Sequence, residues 1–218
     1  MRRLLLTPII LLPLTACVSS GVRDVEITPA ASLDTKVGRE LVLLLPAGDF
    51  TIEPSMDDEL HATARFFCNS QSDTCREKAA EAGIVHALQG TTSTLSFKPS
   101  SAYTTRHADL RFLIQVPAVE QLDIEMDAGD LKIDAASGCL NVKAGAGDVS
   151  ISAPASSVAR VKLDANIGDA SLRIPDGEVF DERKLLVGSE VLWEEGTGSC
   201  QLRGKLQAGD LNVRLTSD

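Results

Sequence analysis

The second half of the chain is built from short segments in which apolar and polar residues alternate, such as Leu122-Asp123-Ile124-Glu125-Met126, Leu131-Lys132-Ile133, Leu140-Asn141-Val142 and Val161-Lys162-Leu163. A period of two turns one set of side chains inward and the other outward, as in a half-buried β-strand. One dipeptide punctuates these segments. Gly-Asp stands directly before an alternating strand at Gly48-Asp49, Gly129-Asp130, Gly147-Asp148, Gly168-Asp169 and Gly209-Asp210, with a worn copy at Gly188-Ser189. From Gly129 the steps between copies are 18, 21, 20 and 21 residues, and a second alternating segment lies between copies. Each repeat therefore holds two short strands and two turns, and Gly allows the positive φ of a tight corner. Such a unit cannot bury its apolar side alone and must stack on its neighbours. The pattern predicts an all-β protein, a parallel β-solenoid of about 20-residue coils. An antiparallel β-sandwich or β-roll is the alternative, because short strands with turn signals every roughly 8 to 12 residues look the same in one dimension.

Residues 39–117 are less regular. They carry the first Gly-Asp copy, strand patterns at Glu59–Phe67, Thr94–Lys98 and Leu110–Val116, and one short helical insert. The insert has a capping-box spacing at Thr74-x-x-Glu77, helix-favouring residues from Arg76 to Ala82, and Gly83 as a stop. This region reads as an irregular N-terminal cap, which a solenoid needs because its end coils expose unpaired strand edges.

The chain opens with Arg2 and Arg3 followed by an apolar run, Leu4 to Leu14, that is too short for a helix to cross about 30 Å of hydrocarbon. It reads as an export signal. The run stops at Leu14-Thr15-Ala16-Cys17, which resembles the lipobox of bacterial lipoproteins, where cleavage before the Cys leaves a lipidated N-terminal residue. That resemblance implies residues 1–16 as signal peptide, lipidation of Cys17, and anchorage in a membrane through N-terminal acyl chains. With Val18 and Ser19 after the Cys rather than an Asp, it favours the outer membrane of a Gram-negative cell. The mixed Ser, Pro, Gly and charged residues that follow place a flexible tether over 17–38. The remaining divisions are 39–117, the N-terminal β region, and 118–218, the Gly-Asp repeat.

Asp109-Leu-Arg-Phe-Leu-Ile-Gln-Val-Pro117, Leu122-Asp-Ile-Glu-Met126, Ala128-Gly-Asp-Leu-Lys-Ile133 and the later Gly-Asp strands resemble the bacterial putative-adhesin family of β-solenoid domains of unknown function. The likeness spans roughly residues 40–218 and is strongest after 109. It implies a β-rich envelope domain with no established catalytic site. The helical insert and the cysteines depart from the family's simple pattern.

Charge narrows the partners. The formal net charge is -10, and loss of Arg2 and Arg3 with the signal makes the mature chain -12, so nucleic acid and anionic headgroups are repelled rather than drawn. Aromatic residues are 4% of the chain, with Trp193 and Tyr103 the single representatives of their kinds, which leaves little material for stacking on bases or sugars. Trp193 is expected in core or edge-strand packing, unless it lies exposed beside Phe180 as an interface marker.

Five Gly-Asp corners in register would stack carboxylates at about 4.8 Å. Turn aspartates commonly accept bonds from nearby backbone N–H groups, and this is the expected role here; a cation ladder is the sharper alternative, weakened by having one carboxylate per coil. His61, His86 and His107 have no second His or Cys at ligand spacing, so no metal or other cofactor is expected. There is no Gly-x-Ser-x-Gly elbow, Cys-x-x-Cys or phosphate loop. The resulting expectation is a noncatalytic envelope lipoprotein acting as a structural or adhesin-like interaction module toward an envelope protein or the cell wall. The alternative is a glycan-active β-helix enzyme using scattered acids such as Asp123, Glu125, Asp127 and Asp134.

Four cysteines remain after Cys17, an even number for an exported chain. Cys68 and Cys75 are expected to form a disulfide closing a short loop, with a reactive thiol at Cys75 as the alternative. Cys139 lies 8 residues before Gly147 and Cys200 lies 9 before Gly209, so both hold nearly the same phase three coils apart. Three rungs separate them by roughly 14 Å in a single-file solenoid, against a bridgeable range of about 4.4–6.8 Å. A single-file stack thus predicts that Cys139 and Cys200 are not joined.

Overall fold

In the computed structural model, residues 24–69, 73–80, 82–98, 108–134, 139–183 and 187–217 are described. Four strands, β1 (Asp24–Lys36), β2 (Glu40–Leu45), β3 (Asp49–Pro54) and β4 (Glu59–Asn69), precede the helix α1 (Asp73–Ala80). There follow β5 (Gly83–Gln89), β6 (Thr92–Lys98), β7 (Ala108–Val116), β8 (Gln121–Ala128), β9 (Leu131–Ile133), β10 (Cys139–Ala146) and β11 (Val149–Pro154). The chain closes with β12 (Val158–Ala165), β13 (Ala170–Arg173), β14 (Val179–Phe180), β15 (Glu182–Arg183), β16 (Ser189–Trp193), β17 (Cys200–Ala208) and β18 (Leu211–Thr216).

The protein is all-β, with two mixed nine-stranded sheets. One runs β1-β4-β7-β3-β9-β11-β18-β13-β14 and the other β15-β16-β12-β17-β10-β8-β2-β6-β5. From β7 to β13 in the first and from β6 to β12 in the second, neighbours pair in parallel. Antiparallel strands flank both ends. Each Gly-Asp corner carries the chain from the second sheet to the first: β2 to β3, β8 to β9, β10 to β11, β12 to β13 and β17 to β18. Alternate residues point inward, and the inward sets of both sheets join one core that includes Leu43, Ile124, Val142, Leu163 and Leu206 from the second sheet and Ile52, Ile133, Ile151 and Val213 from the first. Near the N-terminal end Phe50 stacks on Phe112 with centroids 4.4 Å apart, and Phe97 meets Phe112 edge-on at 4.2 Å. Because β2 pairs with β8 and β3 with β9, both sheets run unbroken across residue 117.

Three expectations are corrected. The coils are not stacked in single file: β17 lies between β10 and β12, and β18 between β11 and β13, so the last coil in sequence is interposed between two earlier ones. Its entry is made by residues 194–199 passing over the start of β12, where Gly196 and Gly198 donate to Ala159 O and Val158 O at 3.2 and 3.3 Å. A Cβ on either glycine would come within 2.0–2.1 Å of the β12 end backbone, so only glycine fits this crossing. Second, the tether over 17–38 does not extend to Lys36, because β1 is a strand paired antiparallel with β4, and its Ala31 and Leu33 pack against the core. Third, α1 starts at Asp73, so Thr74 lies inside the helix rather than capping it. The helix packs on β1 and β4, at the edge of the first sheet.

Candidate functional site

The Gly-Asp corners form a continuous ladder in the order Gly48, Gly129, Gly147, Gly209, Gly168. Each glycine N–H donates across to the adjoining coil: Gly48 to Ala128 O, Gly129 to Ala146 O, Gly147 to Ala208 O and Gly209 to Ile167 O, at 2.9–3.0 Å. The glycine requirement is clearest at Gly147, which has φ 117° and whose Cβ would stand 1.9 Å from Gly129 O. No L side chain fits between backbones that close. The worn copy does not continue the ladder as a further rung. Ser189 opens β16, which runs antiparallel to β12, while Val187 O accepts the Gly168 N–H at 2.9 Å and closes the ladder's end. The Ser189 hydroxyl, buried here, accepts the Ala170 N–H.

The aspartates bind along the same ladder. Asp130 Oδ1 accepts the Asp148 N–H at 3.3 Å, Asp148 Oδ1 accepts the Asp210 N–H at 3.2 Å, and Asp210 Oδ1 accepts the Asp169 N–H at 3.1 Å. Each carboxylate thereby satisfies a donor on the next coil, which offsets the repulsion of its neighbours. Asp49 stands at the start of β3, opposite Arg111 in register. Among the described residues, no group of three or more His, Cys, Asp or Glu side chains is gathered to hold a metal. The corner therefore works as a structural joint with an acidic outer rim.

Three of the four carboxylates considered for glycan chemistry, all but Asp127, are held by neighbouring side chains. Asn141 donates to Asp123 at 3.0 Å, Lys143 to Glu125 at 2.9 Å and Lys132 to Asp134 at 2.7 Å. Glu125 holds the Lys143 ammonium above its usual range, first through the hydrogen bond and then through charge attraction. Trp193 is buried, and Phe180 packs against the core, so the two do not form an exposed interface marker.

Both cysteine pairs are closed. Cys68, near the end of β4, joins Cys75 in the first turn of α1 with Cα atoms 5.9 Å apart, as the loop spacing predicts. Cys139 joins Cys200 with Cα atoms 4.7 Å apart, which corrects the expectation drawn from single-file stacking. The interposed β17 makes the two cysteines next-door neighbours rather than residues three rungs apart. Cys17 and the export signal lie outside the described residues.

One cluster has no counterpart among the sequence motifs. His61 on β4 bonds Asp34 on β1 through Nδ1 at 2.7 Å and Asp57 through Nε2 at 2.9 Å. The Asp34 hydrogen bond, followed by that of Asp57, raises the His61 pKa above its ordinary value. Bonds from the Glu59 N–H, His61 and Ser55 hold Asp57 down at about 2. Ser55 is bonded to Asp57 rather than to His61, so the cluster is a clamp on β1 with no nucleophile against the imidazole. Only the alternation at Leu33-Asp34-Thr35, which puts Asp34 outward, hints at this pairing.

These features define a class: an all-β repeat domain of two mixed sheets joined by Gly-Asp corners. Residues 113–214, from within β7 to within β18, match the family described as Toastrack DUF4097, a similarity that lies within the stretch where the adhesin-family likeness was read from the residues. None of the curated proteins matches the sequence. Among solved structures, the chain is similar to a putative cell adhesion protein from Clostridium sporogenes (13% identity, 85% of this chain and 99% of that one, TM-score 0.49). It is also similar to putative adhesins from Bacteroides fragilis (11% identity, 85% and 97% covered, TM-score 0.28) and Parabacteroides merdae (9% identity, 85% and 95% covered, TM-score 0.27).

Proposed function

We propose that the protein is an exported, lipid-anchored module of the cell envelope that acts without catalysis, by presenting the outer faces of its sheets to an envelope partner or the cell wall. The finer architecture we propose is a parallel β-solenoid whose last coil is interposed between the third and fourth Gly-Asp coils in sequence. The observation that carries the functional reading is the commitment of six outward carboxylates to neighbours: Asp123, Glu125 and Asp134 to side chains, and Asp130, Asp148 and Asp210 to backbone donors. A general acid and base need freedom to exchange protons with substrate. The Leu14-Thr15-Ala16-Cys17 motif supports the anchor, and acyl chains would supply the membrane affinity that a -12 chain lacks.

Two experiments test this. Cys17→Ala should abolish acyl labelling and either release the product from membranes or leave it uncleaved at the signal; a correctly processed, unlabelled mutant that stays on the membrane would end the anchor reading. Crosslinking in cells should return a reproducible envelope partner. Failure to return one, together with glycan turnover by the pure protein, would replace the binding module with an enzyme.

A further inference from the structure

On the outer face of the first sheet, β9, β11, β18 and β13 frame a cleft of about 410 Å³. Within it Arg173 on β13 lies directly opposite Arg214 on β18, and Arg214 opposite Ser152 on β11. Neighbouring strands are about 4.8 Å apart, so two guanidinium groups share one small space on an acidic protein. Neither makes an ion pair with a described residue, whereas the Asp134 carboxylate, which lines the cleft, is neutralised by Lys132 at 2.7 Å. Like charges directly opposite on one sheet face destabilise the pairing, and an anion between them would remove that conflict.

The floor beside the arginines is made of short polar groups. The Ser171 hydroxyl donates to Asn212 Oδ1 at 2.7 Å, which leaves the amide N–H groups of Asn212 as donors. Val179, half exposed and opposite Arg173 on β14, gives an apolar wall. The same outward row continues in register from Ser171 and Asn212 to Ser150, Lys132 and Thr51, a path of about 19 Å across five strands.

We infer that this cleft binds an acidic sugar of a polysaccharide, with Arg173 and Arg214 clamping its carboxylate and the Ser-Asn row meeting its hydroxyls. A planar guanidinium matches a carboxylate bidentately. Paired donors and acceptors suit a polyhydroxylated ring, and the open row lets a chain pass beyond the clamp. The inference rests on the binding-module reading and names the chemistry of its partner.

Calorimetry with the purified full-length protein tests it, using oligogalacturonate, its methyl-esterified form and inorganic phosphate as probes. Oligogalacturonate is expected to bind saturably, to weaken at least tenfold in Arg173→Ala/Arg214→Ala and with added salt, and to be displaced by phosphate; the ester is expected not to bind. Both arginines are exposed, so the variant should keep its melting temperature, and Arg173→Lys/Arg214→Lys should recover part of the affinity. No binding of oligogalacturonate, equal binding by the alanine variant, equal binding of the ester, or binding of phosphate alone would each overturn the acidic-sugar site. Chromatography of the ligand after the titration separates the two readings: intact ligand keeps the binding module, while cleavage overturns that reading even if the arginines bind.

Discussion

Replacing Gly147 by alanine tests the ladder at its centre. The new methyl would stand 1.9 Å from Gly129 O and 2.6 Å from Gly129 C, atoms of the main chain that cannot rotate aside. The β10–β11 corner would have to draw away from the β8–β9 corner. Three bonds span that gap: Gly129 N–H to Ala146 O and Leu131 N–H to Asp148 O, both at 2.9 Å, and Asp148 N–H to Asp130 Oδ1 at 3.3 Å. Each is worth about 0.5–1.5 kcal/mol net, and holding alanine at positive φ costs about 1–2 kcal/mol more. The expected loss is about 3–6 kcal/mol, a fall in melting temperature on the order of 10 °C for a chain of this size. Two controls separate the causes. Gly90 has φ 64° and open space where a Cβ would stand, with nothing within 4 Å, so Gly90→Ala should lose only the conformational share, about 1–2 kcal/mol. Gly83 has neither constraint, and Gly83→Ala should change stability by less than about 1 kcal/mol, in the stabilising direction. Urea and thermal unfolding measure all three. A Gly147→Ala protein as stable as Gly90→Ala would refute the close-packed ladder.

Asp148→Asn keeps an acceptor for the Asp210 N–H and removes one charge from the rim, so urea unfolding should find it at least as stable as the parent, whereas Asp148→Ala should lose about 1 kcal/mol. Opening the disulfides should cost unequally under the loop-entropy account: about 4 kcal/mol for Cys139→Ser/Cys200→Ser and about 2.5 kcal/mol for Cys68→Ser/Cys75→Ser, because the first closes a much longer loop. With its pKa raised in the fold, protonated His61 contributes stability that is fully present below its unfolded value near 6.5 and lost as pH climbs through the raised folded value; Asp57, depressed to about 2, contributes above its unfolded value near 3.8 and loses this as pH falls toward 2. Hydrogen exchange of the Thr35 and Lys36 amides, corrected for intrinsic rate, should therefore be slowest between about pH 4 and 6.5, and His61→Gln should flatten that profile.

The corner chemistry is legible in the sequence because it is local. A Gly that needs positive φ and an Asp that caps the next coil recur beside each alternating strand, so the five rungs and their strands can be read from residue types alone. The order of the rungs is not legible. Leu140-Asn141-Val142, Val161-Lys162-Leu163 and Leu202-Arg203-Gly204 present the same inward and outward pattern, so register alone lets any coil sit beside any other. Gly196 and Gly198, with the phase match of Cys139 and Cys200, are the available signs of the crossover. β1 is hidden because its register shifts between Ile27 and Ala31, which breaks the period of two just where the strand begins. The arginine cleft depends on β13 and β18 becoming neighbours, a contact between residues 41 positions apart.

The sharpest check on the interposed coil is peptide mapping of the protein taken from cells with its free thiols trapped at lysis, since one disulfide reports both that coil and the oxidising compartment that the proposed export requires. Cys68 linked to Cys75 and Cys139 linked to Cys200 within one chain is the expected result. Free thiols at Cys139 and Cys200 in folded protein, or a link from either to another partner, would contradict it.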